Sequence, residues 1–200
     1  MSTPAPTKIN LGSGKDFKPD YLNIDVSPYW SPDILADVSG DFPAGGRQTF
    51  ATRRFGDIEV AHGGFDEIVC NDVLEHVPDL VRTMTNGLNL LKVGGLFNIM
   101  TPYDLSYGAW QDPTHVRAFN ERSWLYYTDW FWYLGWTESR FVMRRLDYII
   151  SPVGRDLRAR GEPQDVILRT PRAVDSMKVC LEKITLSEAD QAALRNFTPG

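Results

Sequence analysis

The sequence predicts a single α/β domain built on an open, mostly parallel sheet with helices on both faces. Three observations carry this. Short apolar, β-branched runs alternate with segments of helical period, two glycines close the first run, and an acid closes the second. At 200 residues the chain has the size of one ordinary domain and can bury a core without disulfide or metal staples.

Taken in order, residues 1–7 are Pro- and Thr-rich and are expected to be disordered, and residues 8–200 form the domain, with a C-terminal extension from about 171. Residues 8–11 form a short strand that runs into Gly12-Ser13-Gly14, and residues 21–26 form a second strand after Pro19. The connection between them is brief. Pro28, Pro32 and Pro43 surround a third short strand at 34–38, and residues 48–61 are expected to form a helix. Residues 65–71 read as a buried strand. From 78 to 91, Leu80, Met84, Leu88 and Leu91 recur near a 3.6-residue period, and Gly94-Gly95 ends that helix. Residues 96–100 are again a buried strand, so strand, helix and strand make a right-handed parallel crossover. Asn120 is expected to cap a helix over 121–132, strands are expected at 141–150 and 165–170 with a polar Arg- and Gly-containing loop between them, and the tail is expected to hold a strand at 178–184. A last helix, 187–197, begins at Ser187 with Asp190 three residues on.

Composition narrows the function classes. The content of 42% hydrophobic and 24% charged residues is that of a globular protein. A net charge of −5 without a long Lys/Arg tract disfavours nucleic acid as a partner and favours small molecules. No apolar run reaches membrane-spanning length and the first residues lack the regions of a signal peptide, so the expectation is a cytoplasmic protein that does not engage membranes. Cys70 and Cys180 sit apart in apolar surroundings and are expected to be reduced, buried thiols.

Ligands on such sheets bind outside the carboxyl ends of the strands, which points to the first loop. Gly12 and Gly14 let the backbone approach a ligand, and Asp25 is placed to accept hydrogen bonds from both hydroxyls of a ribose. A dinucleotide site needs a third glycine, a helix opening on the pyrophosphate and an acid about 20 residues on. Here Phe17 holds the third glycine position, Pro19 leaves room for about one helical turn, and Asp25 follows Gly14 by only 11 residues. A ligand with a ribose and no phosphates suits this loop better.

Several segments carry a family resemblance. Asn10-Leu11-Gly12-Ser13-Gly14, then Asn23-Ile24-Asp25, then Ala36-Asp37-Val38, then residues 65–77 ending Asn71-Asp72-Val73-Leu74-Glu75-His76-Val77, then Lys92-Val93-Gly94-Gly95, resemble the successive motifs of class I methyltransferases dependent on S-adenosylmethionine (SAM). In particular they resemble the methyltransferase-11-like group with a compact first crossover. The resemblance implies a Rossmann-like fold, SAM as cofactor, Gly12, Ser13 and Gly14 along its methionine portion, Asp25 on the ribose and Asp37 near the adenine. It also implies Asn71, Asp72 and Leu74 about the methionine end, with His76 at the rim, although a histidine there also suits a turn. The chain departs from the pattern at Asn10, where an acid is common, and at Asp16, where a third glycine is usual.

The stretch 103–117 follows the fifth strand and is the expected acceptor wall, through Tyr103, Tyr107, Trp110 and Arg117, with Trp124 beyond it. Within it Asp112-Pro113-Thr114-His115, a run shared with the resembling group, sets a carboxylate near an imidazole, the pairing that general-base removal of a hydroxyl proton requires. A plain turn is the competing reading. His76, Asp112 and His115 could also serve a metal, but their spacing matches no metal motif, so none is expected. Thr101-Pro102-Tyr103 is similar to the signature of amino-group methyltransferases but follows the fifth strand rather than the fourth. The aromatic run 121–133 is read either as core or homodimer contact or as a shelf for the acceptor. The expectation is O-methylation of a small or sugar-type molecule, with a noncatalytic SAM-binding scaffold and a nucleotide-sugar-binding enzyme as alternatives.

Overall fold

The computed structural model describes residues 5–197. Residues 1–4 of the expected disordered start lie outside that range, while the Thr7 carbonyl already accepts the Asp66 N–H at 2.8 Å. The elements in chain order are β1 (Lys8–Leu11), β2 (Leu22–Asp25), β3 (Ile34–Leu35), β4 (Arg47–Thr52), β5 (Gly56–Ala61), β6 (Phe65–Asn71), α1 (Leu80–Leu90), β7 (Leu91–Pro102), α2 (Gly108–Gln111), α3 (Leu125–Thr128), β8 (Ser139–Ile150), α4 (Pro152–Ala159), α5 (Gln164–Arg169), β9 (Val174–Thr185) and α6 (Glu188–Asn196).

Seven strands form one sheet in the order β3-β2-β1-β6-β7-β9-β8. The pairs from β3 to β7 are parallel, and β9 runs antiparallel to both β7 and β8. The chain steps outward from β1 to β3 and then returns to the other side of β1 with β6, so strand order reverses between β1 and β6, where such sheets hold ligands. Ile9, Leu22, Ile24, Ile68, Phe97 and Leu181 are fully or almost fully buried along the sheet. Truncating one such side chain to alanine costs roughly 2–5 kcal/mol. Helix α1 crosses β7 so closely that a Cβ on Gly87 would stand 2.6 Å from the Phe97 ring, and Asp79 caps it by accepting the Arg82 N–H. No described helix is long and apolar enough to cross a membrane.

No helix joins β1 to β2. A polar clasp takes its place: buried Asn10 donates to the Asp16 carbonyl at 2.8 Å and to the Asn23 side chain at 2.9 Å, and Asn23 in turn holds Lys18 and Tyr21. Asn10, one of the two departures from the family pattern, is thus the centre of the clasp that lets the crossover be short; Asp16, the other, joins it only through its main-chain carbonyl. From outside, Arg54 donates to both Asp33 carboxylate oxygens at 2.7 Å and to the carbonyls of Pro19 and Tyr21.

Three expected elements differ. Residues 48–61 form the β4–β5 hairpin, not a helix; their apolar residues alternate with a period of two, Ile58 and Val60 are buried, and Gly56 takes φ +70° at the turn. Residues 165–169 of the expected strand lie in helix α5, with Thr170 as its extended C-cap, and the loop before them holds α4, capped where the Ser151 hydroxyl accepts the Gly154 N–H ahead of Pro152. Residues 121–132 make one α-turn, α3, and a separate 3-10 turn at Phe131–Leu134, because the backbone leaves helical geometry at Trp130. The segment from 171 on supplies β9, which lies inside the sheet between β7 and β8. At the tail, Ser187 and Asp190 form the reciprocal capping box of α6. Both cysteines are free, Cys70 buried and Cys180 half-buried.

Candidate functional site

Two cavities meet at the carboxyl edge of the parallel strands. The first, of about 600 Å³, lies between the ends of β1 and β2 and the loop after β6, and takes in Gly12, Gly14, Asp25, Trp30 and Asp37. The second, of about 480 Å³, lies beneath α2 and takes in Glu75, Tyr107, Asp112, His115 and Asp175. Asp72 and His76 line both.

The first cavity is shaped by its glycines. Gly12 holds φ +63°, and a Cβ there would stand 2.3 Å from a Val73 methyl. Only glycine fits that turn. Asp25 is buried, and its two oxygens accept the N–H groups of Gly14 and Ser27 at 2.7 and 2.8 Å. Each carboxylate oxygen can accept a second bond, so two acceptor positions remain for a pair of ligand hydroxyls. Asp37, which also lines the cavity, accepts from both the N–H and the hydroxyl of Ser39, which fixes its turn. Trp30, half exposed between Pro28 and Pro32, adds an aromatic wall that sequence reasoning missed. Its signal was an aromatic left in a proline-rich loop directly after the acid of β2.

Ser13, Asn71 and Leu74 line neither cavity. Ser13 donates its N–H to the Ile24 carbonyl at 3.1 Å, Leu74 is wholly buried in the core, and Asn71 ends β6, half-buried. The loop after β6 turns at Asp72, whose φ is +53°, a strained value for a residue with a side chain. Burial raises the pKa of its carboxyl, and the nearby His115 and His76 act against that rise.

The second cavity corrects the expected roles. Asp112 does not hold His115. Its carboxylate accepts the N–H and the hydroxyl of Thr114 at 2.8 and 2.7 Å, and those bonds pull its pKa down. Thr114 has spent its one proton on Asp112, so its oxygen must accept the Nδ1–H of His76 at 2.9 Å. His115 must likewise donate Nδ1–H to the Ala109 carbonyl at 3.0 Å. Both imidazoles are therefore set as the same tautomer with Nε2 carrying the free lone pair, and their rings meet edge to face at 4.5 Å between centroids. Glu75 is 1% exposed and neither of its carboxylate oxygens has a hydrogen-bond partner among the described residues. Burial, abetted by the charges of Asp72 and Asp112 and only partly opposed by its own backbone N–H and by His115, pushes its pKa up to about 7.

Of the expected acceptor wall, Tyr107 lines the second cavity. Tyr103 is buried and donates to Glu121 at 2.7 Å, and Trp110 is 64% exposed outside both cavities. Arg117 is a brace: its guanidinium donates to the carbonyls of Leu74, Val77 and Pro78, tying the loop after β6 to the 103–117 segment. Trp124 is fully buried and stacked on Phe119, 10° from parallel, so it belongs to the core. No residue of 121–133 lines either cavity; Tyr126, Trp130 and Tyr133 instead cluster on the surface against one another. Asp175 and Ser176, from the start of β9, complete the second cavity, and nothing near them in sequence marked them.

Comparison with known proteins agrees with this architecture. A SAM-dependent methyltransferase from Archaeoglobus fulgidus superposes with a TM-score of 0.55 at 12% identity, covering 89% of this chain and 86% of that one. A SAM-dependent methyltransferase from Mesorhizobium loti gives 0.51 at 14% identity, covering 89% and 91%. The [4+2]-cyclase SpnF gives 0.54 at 12%, covering 90% and 75%, so this fold also carries other chemistry. No curated protein matches the sequence. The family described as "methyltransferase domain" matches residues 10–137, more than half of the chain, and with a sheet of this order and a glycine turn at this edge the chain belongs to that methyltransferase family.

Proposed function

We propose that the chain is a SAM-dependent methyltransferase that transfers the methyl group to an oxygen of a small, polar acceptor. The observation that carries this is the pair of cavities joined at Asp72 and His76, one suited to a nucleoside and the other lined by proton-accepting groups. The residues fit the cofactor: the Gly12 and Gly14 backbone borders the cavity without side chains, Asp25 has acceptor positions left for a ribose, and the volume suits a ligand of that size.

When bound, SAM supplies an electrophilic methyl on a sulfonium whose departure needs no proton. The chain's own residues align the acceptor and take up its proton. Asp25 and the Gly12–Gly14 turn hold the nucleoside end together with Asp37, and Asp72 and His76 border the passage to the second cavity. There the free Nε2 of His115, fixed by the Ala109 carbonyl, is the group placed to accept a hydroxyl proton. Asp112 acts at a distance, orienting Thr114 and through it His76.

Calorimetry with SAM, its demethylated product, NAD and a UDP-sugar tests the first cavity. Binding of the first two alone supports the reading, and binding of the UDP-sugar or NAD instead overturns it. Conversion of SAM to its demethylated product with a panel of polyols, phenols and amines then tests the chemistry. Turnover with amines only would sink O-methylation, and binding without any turnover would favour a scaffold.

A further inference from the structure

We infer that Glu75, His76 and His115 form a site for one divalent transition-metal ion, with zinc the best fit, where the two cavities meet. One donor atom from each residue lies within 4.8 Å of the other two. Donors around a tetrahedral zinc ion stand about 3.3 Å apart, given bonds of about 2.0–2.1 Å. Side-chain rotation therefore has to draw the three together by at most about 1.5 Å, as those bond lengths require.

Two independent features point to an ion rather than to a fortuitous cluster. First, Glu75 lines the second cavity while 1% exposed, and neither of its oxygens has a partner among the described residues. A buried carboxylate left unpaired is costly, and a coordinated cation removes that cost. Second, each histidine already gives its Nδ1–H to an oxygen, His76 to Thr114 and His115 to Ala109. Metal-bound histidines are almost always held in this way, with the remaining nitrogen presented to the ion. The surroundings agree: four carboxylates, from Asp72, Glu75, Asp112 and Asp175, line the cavity, and no lysine or arginine does.

Two nitrogens and one carboxylate oxygen make a three-ligand set of the kind that leaves a metal position open. That position takes an oxygen of the acceptor, lowers its pKa and lets its proton pass to solvent. The lone pair of His115 thus serves the proton in the metal-free protein and the ion in the loaded one. The sequence had set His76 and His115 beside Asp112 as possible metal ligands without a recognised spacing; the structure replaces Asp112 with Glu75, and no motif marked the set because two ligands are adjacent and the third lies far along the chain, at 115.

Zinc titration of the chelator-stripped full chain tests the site, with cobalt as a visible probe. The expected result is one equivalent bound, loss of at least about 100-fold in affinity in His76→Ala and His115→Ala, and a smaller loss of about 10-fold in Thr114→Val that Thr114→Ser restores. Glu75→Gln keeps the volume, and its circular dichroism guards against misfolding; it should also weaken binding and change the cobalt spectrum. No stoichiometric binding, or binding unchanged in Glu75→Gln and His115→Ala, overturns the proposal. Neither result bears on SAM binding, which calorimetry reads separately.

Discussion

The Asp25 carboxylate accepts the Gly14 N–H at 2.7 Å, so the acid that ends β2 also holds the glycine turn that ends β1. One side chain thereby shapes the first cavity before any ligand arrives. Its spare acceptor positions are the ones available to a ribose, which links pre-organisation to affinity.

Asp25→Ala should therefore weaken the demethylated cofactor product by about 10–100-fold, the range for losing hydrogen bonds to a charged group. Asp25→Asn keeps one acceptor oxygen and should lose less. Calorimetry decides, and equal affinities in wild type and Asp25→Ala would remove the carboxylate from the site.

Gly12→Ala should abolish cofactor binding, because its Cβ would stand 2.3 Å from the Val73 methyl and its φ of +63° suits glycine. Adding Val73→Ala removes the two closest contacts and leaves the Val73 Cβ at 3.2 Å, but it does not remove the backbone strain, which costs about 1–2 kcal/mol. The double variant should recover part of the affinity and part of the thermal stability lost by the single one. Full recovery would mean that sterics alone govern the turn, and no recovery would mean that Val73 is not the obstacle.

What the sequence disclosed follows the range of each interaction. The β1 turn, Asp25, the β6 loop and the capping box of α6 were legible because each is a local pattern with a local cause. The β4–β5 hairpin was misread because Ile58 and Val60 show their period of two only when the Gly56 turn is recognised. Trp124 and Arg117 were read as acceptor contacts because sequence gives a position after a strand but not a direction. One stacks on Phe119 in the core, and the other spans to the carbonyls of residues 74–78. The role of Asn10 was hidden for a different reason: its partners, the main-chain carbonyl of Asp16 and the side chain of Asn23, are brought to it only by the folded crossover.

The Asp33–Arg54 pair should make stability depend on pH. Asp33 is buried, which alone would raise its pKa, but hydrogen bonds from Arg54 and Asn23 and the charge of Arg54 outweigh burial and hold the carboxyl below its ordinary value. A native pKa below the unfolded value means that the folded state binds fewer protons. The contribution is therefore complete above about pH 4, the unfolded value, and is lost as pH falls through it toward the lower native one. Arg54→Met leaves a buried carboxylate without its cation and frees the carbonyls of Pro19 and Tyr21. Arg54 itself is partly exposed, so the expected loss is about 2–4 kcal/mol at neutral pH, toward the low end for breaking a buried pair. Urea unfolding between neutrality and acid should show the variant's stability curve losing its decline below pH 4 relative to wild type; parallel curves would show that the pair does not govern it.

His115→Ala and Asp112→Asn separate the two imidazoles. His115 has its free Nε2 at the second cavity, whereas Asp112 reaches only Thr114, and through Thr114 only His76. Removing the proton acceptor should lower kcat by about 10²–10⁴-fold, with cofactor affinity nearly unchanged because His115 does not line the first cavity. Asp112→Asn keeps a side-chain oxygen that Thr114 can still use, so its effect on kcat should be much smaller. The two effects should also respond differently to Thr114→Val, which breaks the chain from Asp112 to His76. Once Thr114 is valine, Asp112→Asn should add nothing further, while His115→Ala should still cost its full factor. Turnover measured across these single and double variants decides: an Asp112→Asn loss that persists in the Thr114→Val background would show that Asp112 acts on the reaction by another route, and an unaltered rate in His115→Ala would remove that imidazole from the chemistry.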